Sequence, residues 1–167
     1  MTTIIYFPDK GISLNDIKIE WGFDRQVVRE LLGNFHNESN TIIDLSLYHN
    51  GDKEFNIIQR RDIYENHGGD DNYFFLNYGK DDTLKEIEIH KGVLIFIGDI
   101  RLSFDTDFQE AVLLLKNISK YNNQISVGEH FYKDLKLTIA NREFMGSEGN
   151  KLAYFYCSQN IDHLENA

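Results

Sequence analysis

The chain has 167 residues, 41% of them apolar and 13% aromatic, which excludes intrinsic disorder and is enough to bury roughly 70% of the surface an unfolded chain exposes. A single cysteine, Cys157, excludes an intramolecular disulfide and every four-cysteine zinc pattern. The formal net charge of −10 opposes approach to nucleic acid or to an anionic membrane surface and favours a basic partner. The opening MTTIIYFPDKG has no basic lead, and no run approaches the ~18 apolar residues of a membrane span, so a cytoplasmic location is expected. There is one proline, Pro8, and no Ser/Gly-rich stretch, so residues 1–167 read as one domain.

In chain order, 24–32 (DRQVVRELL) places Val27, Val28, Leu31 and Leu32 on one face, with Asp24 suited to the N-cap and Gly33 to the C-terminal cap. Residues 41–49 (TIIDLSLYH) alternate through Ile43, Leu45 and Leu47 as a strand, and Asn50-Gly51 follows as a hairpin turn. Segments 72–78 and 83–90 flank the turn Gly79-Lys80-Asp81-Asp82 as two further strands. In the second, Ile87 and Ile89 point one way and Glu86, Glu88 and His90 the other, giving a buried and a wet face. A strand at 93–97 precedes a second helix at 106–117, whose stripe is Phe108, Ala111, Val112 and Leu115 and whose Thr106 and Gln109 have capping-box spacing. Strands at 134–139 and 151–157 complete an α+β fold of mainly antiparallel sheet with two short amphipathic helices.

Asp16-Ile17-Lys18-Ile19 before the first helix matches Asp99-Ile100-Arg101-Leu102 before the second, and Asp-Leu-Xaa-Leu recurs at 44–47 and 134–137. Two readings fit these matches: a duplicated strand–helix–strands unit over 12–92 and 93–163, or chance agreement of two amphipathic helices.

No Walker or dinucleotide glycine pattern occurs, the six histidines are isolated, and no serine lies in a nucleophile elbow. Cys157, within the apolar run LAYFYC, reads as core. The stretch 62–71 (DIYENHGGDD) offers Glu65, His67, Asp70 and Asp71 to a hard cation, but it fits no ligand template and reads as a solvated turn. Alternating Glu86, Glu88 and His90 lack the lysine that a nuclease motif places two residues after an acid. No catalytic residue, no metal and no cofactor is expected, and the chain is not read as an enzyme.

The segment Gly11 to Gly33, with Ile17, Ile19, Gly22 and Val27-Val28-Arg29-Xaa-Leu31-Leu32-Gly33, resembles the opening of small bacterial immunity proteins of polymorphic and contact-dependent inhibition toxin systems. NYFFLNY and EIEIHKG look like strands common in such sequences. The duplicated layout is also similar to secreted β-lactamase inhibitor proteins and small outer-membrane assembly lipoproteins, an analogy of fold alone. The immunity resemblance implies a cytosolic protein that binds a cognate toxin domain, often a basic nuclease, and covers its active site. Acid is concentrated between 62 and 88, so the expected partner-binding residues are Asp62, Tyr64, Glu65, Asp70, Asp71, Tyr73, Asp81, Asp82, Glu86 and Glu88. A self-associating scaffold module, and a metal-dependent hydrolase using Glu65, His67, Asp70 and Asp71, are the competing expectations.

Overall fold

Short strands and tight turns set the topology. Asn15 and Asp16, both at positive φ (44° and 69°), close a two-residue turn between β2 (Gly11–Leu14) and β3 (Ile17–Glu20), the backbone that matches the twist of a hairpin. The computed structural model describes residues 1–162. From this hairpin the chain enters α1 (Arg25–Leu31) and then a meander of β4 (Asn37–Ile43), β5 (Ile57–Glu65), β6 (Tyr73–Tyr78) and β7 (Leu84–Lys91). The order then recurs: the hairpin of β8 (Val93–Ile97) and β9 (Ile100–Leu102), helix α2 (Phe108–Lys116), and the meander β10 (Asn122–Ser126), β11 (Glu129–Tyr132), β12 (Leu137–Asn141) and β13 (Leu152–Ser158). Strand β1 (Thr2–Phe7) precedes the first hairpin.

The two meanders join through their last strands into an eight-stranded antiparallel sheet, β10-β11-β12-β13-β7-β6-β5-β4. The two hairpins flank β1 in a second sheet, β3-β2-β1-β8-β9, where β1 and β8 run parallel. Each helix is capped by an aspartate that accepts a backbone N–H, Asp24 from Gln26 and Asp107 from Gln109. Each cap residue also bridges the approach to its meander's last strand, Asp24 to Thr83 and Asp107 to Lys151. The Asp-Leu-Xaa-Leu segments do not correspond: 44–47 follows the first strand of its meander, whereas 134–137 leads into the third strand of the other.

One core lies between the sheets and takes in both helices. Ile4, Tyr6, Leu14 and Ile95 from the smaller sheet, Phe74, Leu76, Ile87, Ile89 and Phe155 from the larger, and Val28, Phe108 and Leu115 from the helices belong to it. Tyr6 meets Phe155 edge-on at 6.0 Å, and its hydroxyl donates to the carbonyl of Leu135 at 2.8 Å, so this ring fastens the two layers.

Several elements differ from expectation. The strand expected at 41–49 ends at Ile43, and Ser46–Tyr48 form a 3₁₀ turn because the Asp44 carboxylate accepts the Ser46 N–H and bends the chain there. Asn50 and Gly51 have the positive φ of a turn, but within a long loop rather than a two-residue hairpin. Helix α2 is capped by Asp107; the Thr106 hydroxyl instead accepts from the backbone of Ser103 at 3.0 Å. Strand β5 takes in 62–65, the first part of the stretch read as a solvated turn, and the rest of that stretch, 66–71, is a turn.

Gly92 carries the chain from β7 in one sheet to β8 in the other at φ +68°, and a Cβ there would lie 1.6 Å from the carbonyl oxygen of Asp71. Gly92→Ala is expected to cost at least about 2 kcal/mol, from strain plus the backbone shift needed to relieve the clash. The check is urea unfolding: a lower midpoint with an unchanged slope.

Candidate protein-binding surface

Asp62 sits on β5 with its side chain fully buried beneath α1. It survives there because two arginines from the helix converge on it. Arg25 donates to it from Nε (3.1 Å) and Nη2 (2.6 Å), and Arg29 donates at 2.8 and 2.7 Å. Arg29 also pairs with Glu38 on β4, and Arg25 lies 5.0 Å over the Tyr78 ring. Burial pushes the Asp62 carboxyl up, but the bonds from Arg29 and Arg25 outweigh it and hold the group below the usual carboxylate range. The network therefore docks α1 on the sheet. Tyr64, two residues along the same face, is also fully buried and stacks on Phe74 at 5.0 Å. Neither Asp62 nor Tyr64 reaches the surface, which corrects their expected place at an interface.

The remaining acids of 62–88 are largely balanced by cations and donors from outside that window. Asp70 accepts from the Thr2 hydroxyl (2.9 Å), Asp71 from Lys91 (2.6 Å), and Asp82 pairs with Arg60 (3.3 Å). Asp81 pairs within the window, with Lys85 (3.1 Å). Glu65 is exposed at the end of β5. The turn after it is tied down by buried Asn72, which donates to Thr2 and to the His67 carbonyl. His67 Nε2 donates to the carbonyl of Leu32 at 3.0 Å. Glu65, His67, Asp70 and Asp71 thus do not converge, and among the described residues no three His, Cys, Asp or Glu side chains form a group able to hold a metal.

The rest of the expected residues lead to the outer face of the large sheet. Strand register places Ile63, Phe75, Glu88, Tyr156 and Thr138 in one row across five strands. Arg61, Asn77, Glu86 and Ser158 form a parallel row. Phe75 and Tyr156 are buried yet stand apart from the core cluster, because they pack against their neighbours on this outer face. Glu88 is the hub: it accepts from Arg61 (2.5 Å), Asn77 (2.6 Å) and the Tyr154 hydroxyl (3.3 Å), with His90 Nε2 at 3.7 Å. Burial raises the Glu88 carboxyl, but His90, Asn77 and Arg61 outweigh that and leave it lowered. Burial and the nearby Glu88 push the Tyr154 phenol well up, so it stays protonated and donates.

Aromatic rings frame this hub. Tyr73 meets Phe75 edge-on at 4.9 Å, Phe75 lies 4.6 Å from His90, and His90 lies 5.3 Å from Tyr154. The Arg61 guanidinium sits 4.4 Å over Phe75, which fixes it as both a cation–π and a salt-bridge partner. The wet strand face expected from Glu86, Glu88 and His90 is therefore a half-buried, hydrogen-bonded surface. Of the expected residues it keeps Tyr73, Glu86 and Glu88 and adds Arg61, Phe75, Asn77, His90, Tyr154 and Tyr156. The i, i+2 aromatic pairs Tyr73/Phe75 and Tyr154/Tyr156 are the sequence signal that points to it.

Asp62→Asn leaves two guanidinium groups under α1 without their anion. The expected cost is about 3–5 kcal/mol, read as a drop in melting temperature of roughly 6–20 °C for a chain of this size. Because the folded carboxyl is lowered, its contribution is complete above the unfolded pKa of about 3.9 and disappears as pH falls through the folded value. The stability gap between wild type and variant, measured in urea at stepped pH, should therefore be constant near neutrality and shrink below about pH 4.

Comparison with protein-family models, with curated proteins and with solved structures returned no match for this chain.

Proposed function

We propose that this chain is a non-catalytic binding protein that recognises another protein through the outer face of the eight-stranded sheet. We further propose that it serves in the cytoplasm as the immunity partner of a basic toxin domain. The observation that carries the binding reading is the patch around Glu88, in which half-buried Tyr73, His90 and Tyr154 pack with buried Phe75 and Arg61 stands over the Phe75 ring. Tyrosine and arginine held in place by neighbours contribute most of the energy at interfaces, because little side-chain entropy remains to be lost on binding. The immunity reading draws its support from the resemblance of Gly11 to Gly33 and from the net charge of −10.

Charge and contact have separate roles in this reading. The carboxylates near the patch are mostly paired within the chain, so they offer little new attraction at short range. The excess charge of the whole molecule still draws a basic partner from a distance and raises the association rate.

The test is calorimetric titration with the protein domain encoded immediately upstream. Tyr73→Ala removes a half-buried ring at the margin of the patch and is expected to weaken binding roughly 30-fold, the equivalent of a 2 kcal/mol hot spot. Unchanged affinity for Tyr73→Ala would remove the sheet face from the reading.

A further inference from the structure

The hairpin of β4 and β5 carries a second surface at its tip. Ile42 pairs with Ile58 and Ile43 with Ile57 on its last two rungs, and because successive residues of a strand point to opposite faces, one isoleucine pair stands on each side. All four are exposed, Ile42 by 65%, so both faces of the hairpin's end carry apolar surface open to solvent. The loop adds Leu47 at 92% exposure, Tyr48 at 82% and Phe55 at 52%. It is an ordered loop: Leu45 N–H donates to the Asn56 side chain at 2.9 Å, and His49 stacks on Phe55 at 4.2 Å.

Counting about 150–200 Å² for each large side chain, the exposed part of these seven comes to roughly 700 Å². Summed over both faces of the hairpin and its loop, that area approaches the ~800 Å² that one partner gives to a stable interface, as a projection covered on two sides would need. The loop carries Asp44, Asp52 and Glu54 against Lys53. A contact between the tips of two copies would bring two net-negative loops together, whereas a basic rim would complement the acids. A groove lined by Ile43, Ile57, Asn77 and Glu86 connects the tip to the outer sheet face.

We propose that the β4–β5 tip is an apolar plug that enters a cleft with a basic rim on the protein partner, forming one continuous interface with the sheet face. This rests on the binding-protein reading above and adds how the partner is blocked. Leu47 and Tyr48 touch solvent almost entirely, so the double variant Leu47→Ser/Tyr48→Ser should keep the wild-type urea midpoint. Titrated against the upstream-encoded basic domain, it is expected to bind at least about 100-fold more weakly than wild type. If the double variant binds as tightly as wild type, the plug is overturned and the sheet-face reading stands. If wild type itself does not bind that domain, both fall together. If sedimentation velocity finds a wild-type dimer that the double variant converts to a monomer, the tip is a self-association surface and the plug is likewise overturned.

Discussion

The antiparallel pairing of β7 with β13 is the contact on which the other features depend. It places Ile87 beside Cys157 and Ile89 beside Phe155 on the inner face, and Glu88 beside Tyr156 on the outer face. Without it the chain would hold two four-stranded meanders, each with its last strand as a bare edge. With it, one sheet offers a continuous inner surface for the smaller sheet and both helices, and an outer surface where residues 66 positions apart in sequence, Glu88 and Tyr154, share a hydrogen bond. The same pairing that closes the core therefore assembles the polar and aromatic cluster of the outer face. Register couples the two: a slip of one residue would carry Glu88 into the core and Ile87 out of it.

Much of the fold was legible because local chemistry and tertiary structure agree. Helix α1 is announced by Asp24, the apolar positions Val27, Val28, Leu31 and Leu32, and Gly33, and it forms between those caps. Only Val28 and Leu32 are buried, while Val27 and Leu31 are exposed because Arg25 and Arg29 take the rest of the sheet-facing side. Strand β7 is announced by alternation, and Ile87 and Ile89 are buried as expected. Strand β5 was illegible for a physical reason. Its sequence, IIQRRDIYE, shows no apolar–polar alternation because a buried carboxylate takes a core position. Asp62 occupies the inner face only by virtue of Arg25 and Arg29, 37 and 33 residues away. Near the tip, both faces of β5 are apolar and open to solvent, so no periodic signal arises there either.

The fold disperses the residues that the sequence groups between 62 and 88: Asp62 and Tyr64 enter the core, and Glu86 and Glu88 lie on the outer sheet face. A run of acids in sequence suggests a negative patch, but charge is summed in space. Arginines 25, 29, 60 and 61 all lie outside 62–88 and all fold onto that window's carboxylates. What remains is a surface whose local ion pairs fix its shape, carried by a molecule whose total charge stays strongly negative. Aromatic side chains, rather than the carboxylates themselves, are the groups best placed to bind. The hairpin tip was read as an ordinary strand and turn, since neither Leu47 nor Tyr48 shows in sequence that nothing packs on it.

The central claim is that the outer face of the eight-stranded sheet meets the partner. Hydroxyl-radical footprinting of the chain, alone and with the upstream-encoded domain, addresses it most directly, because it reads side chains rather than backbone that is already protected by the sheet. The account predicts that oxidation of Tyr73, His90 and Tyr154 falls together on complex formation, while Phe7 and Phe96 of the smaller sheet react at their free rates. Protection of Phe7 and Phe96 with Tyr73, His90 and Tyr154 unchanged would contradict it.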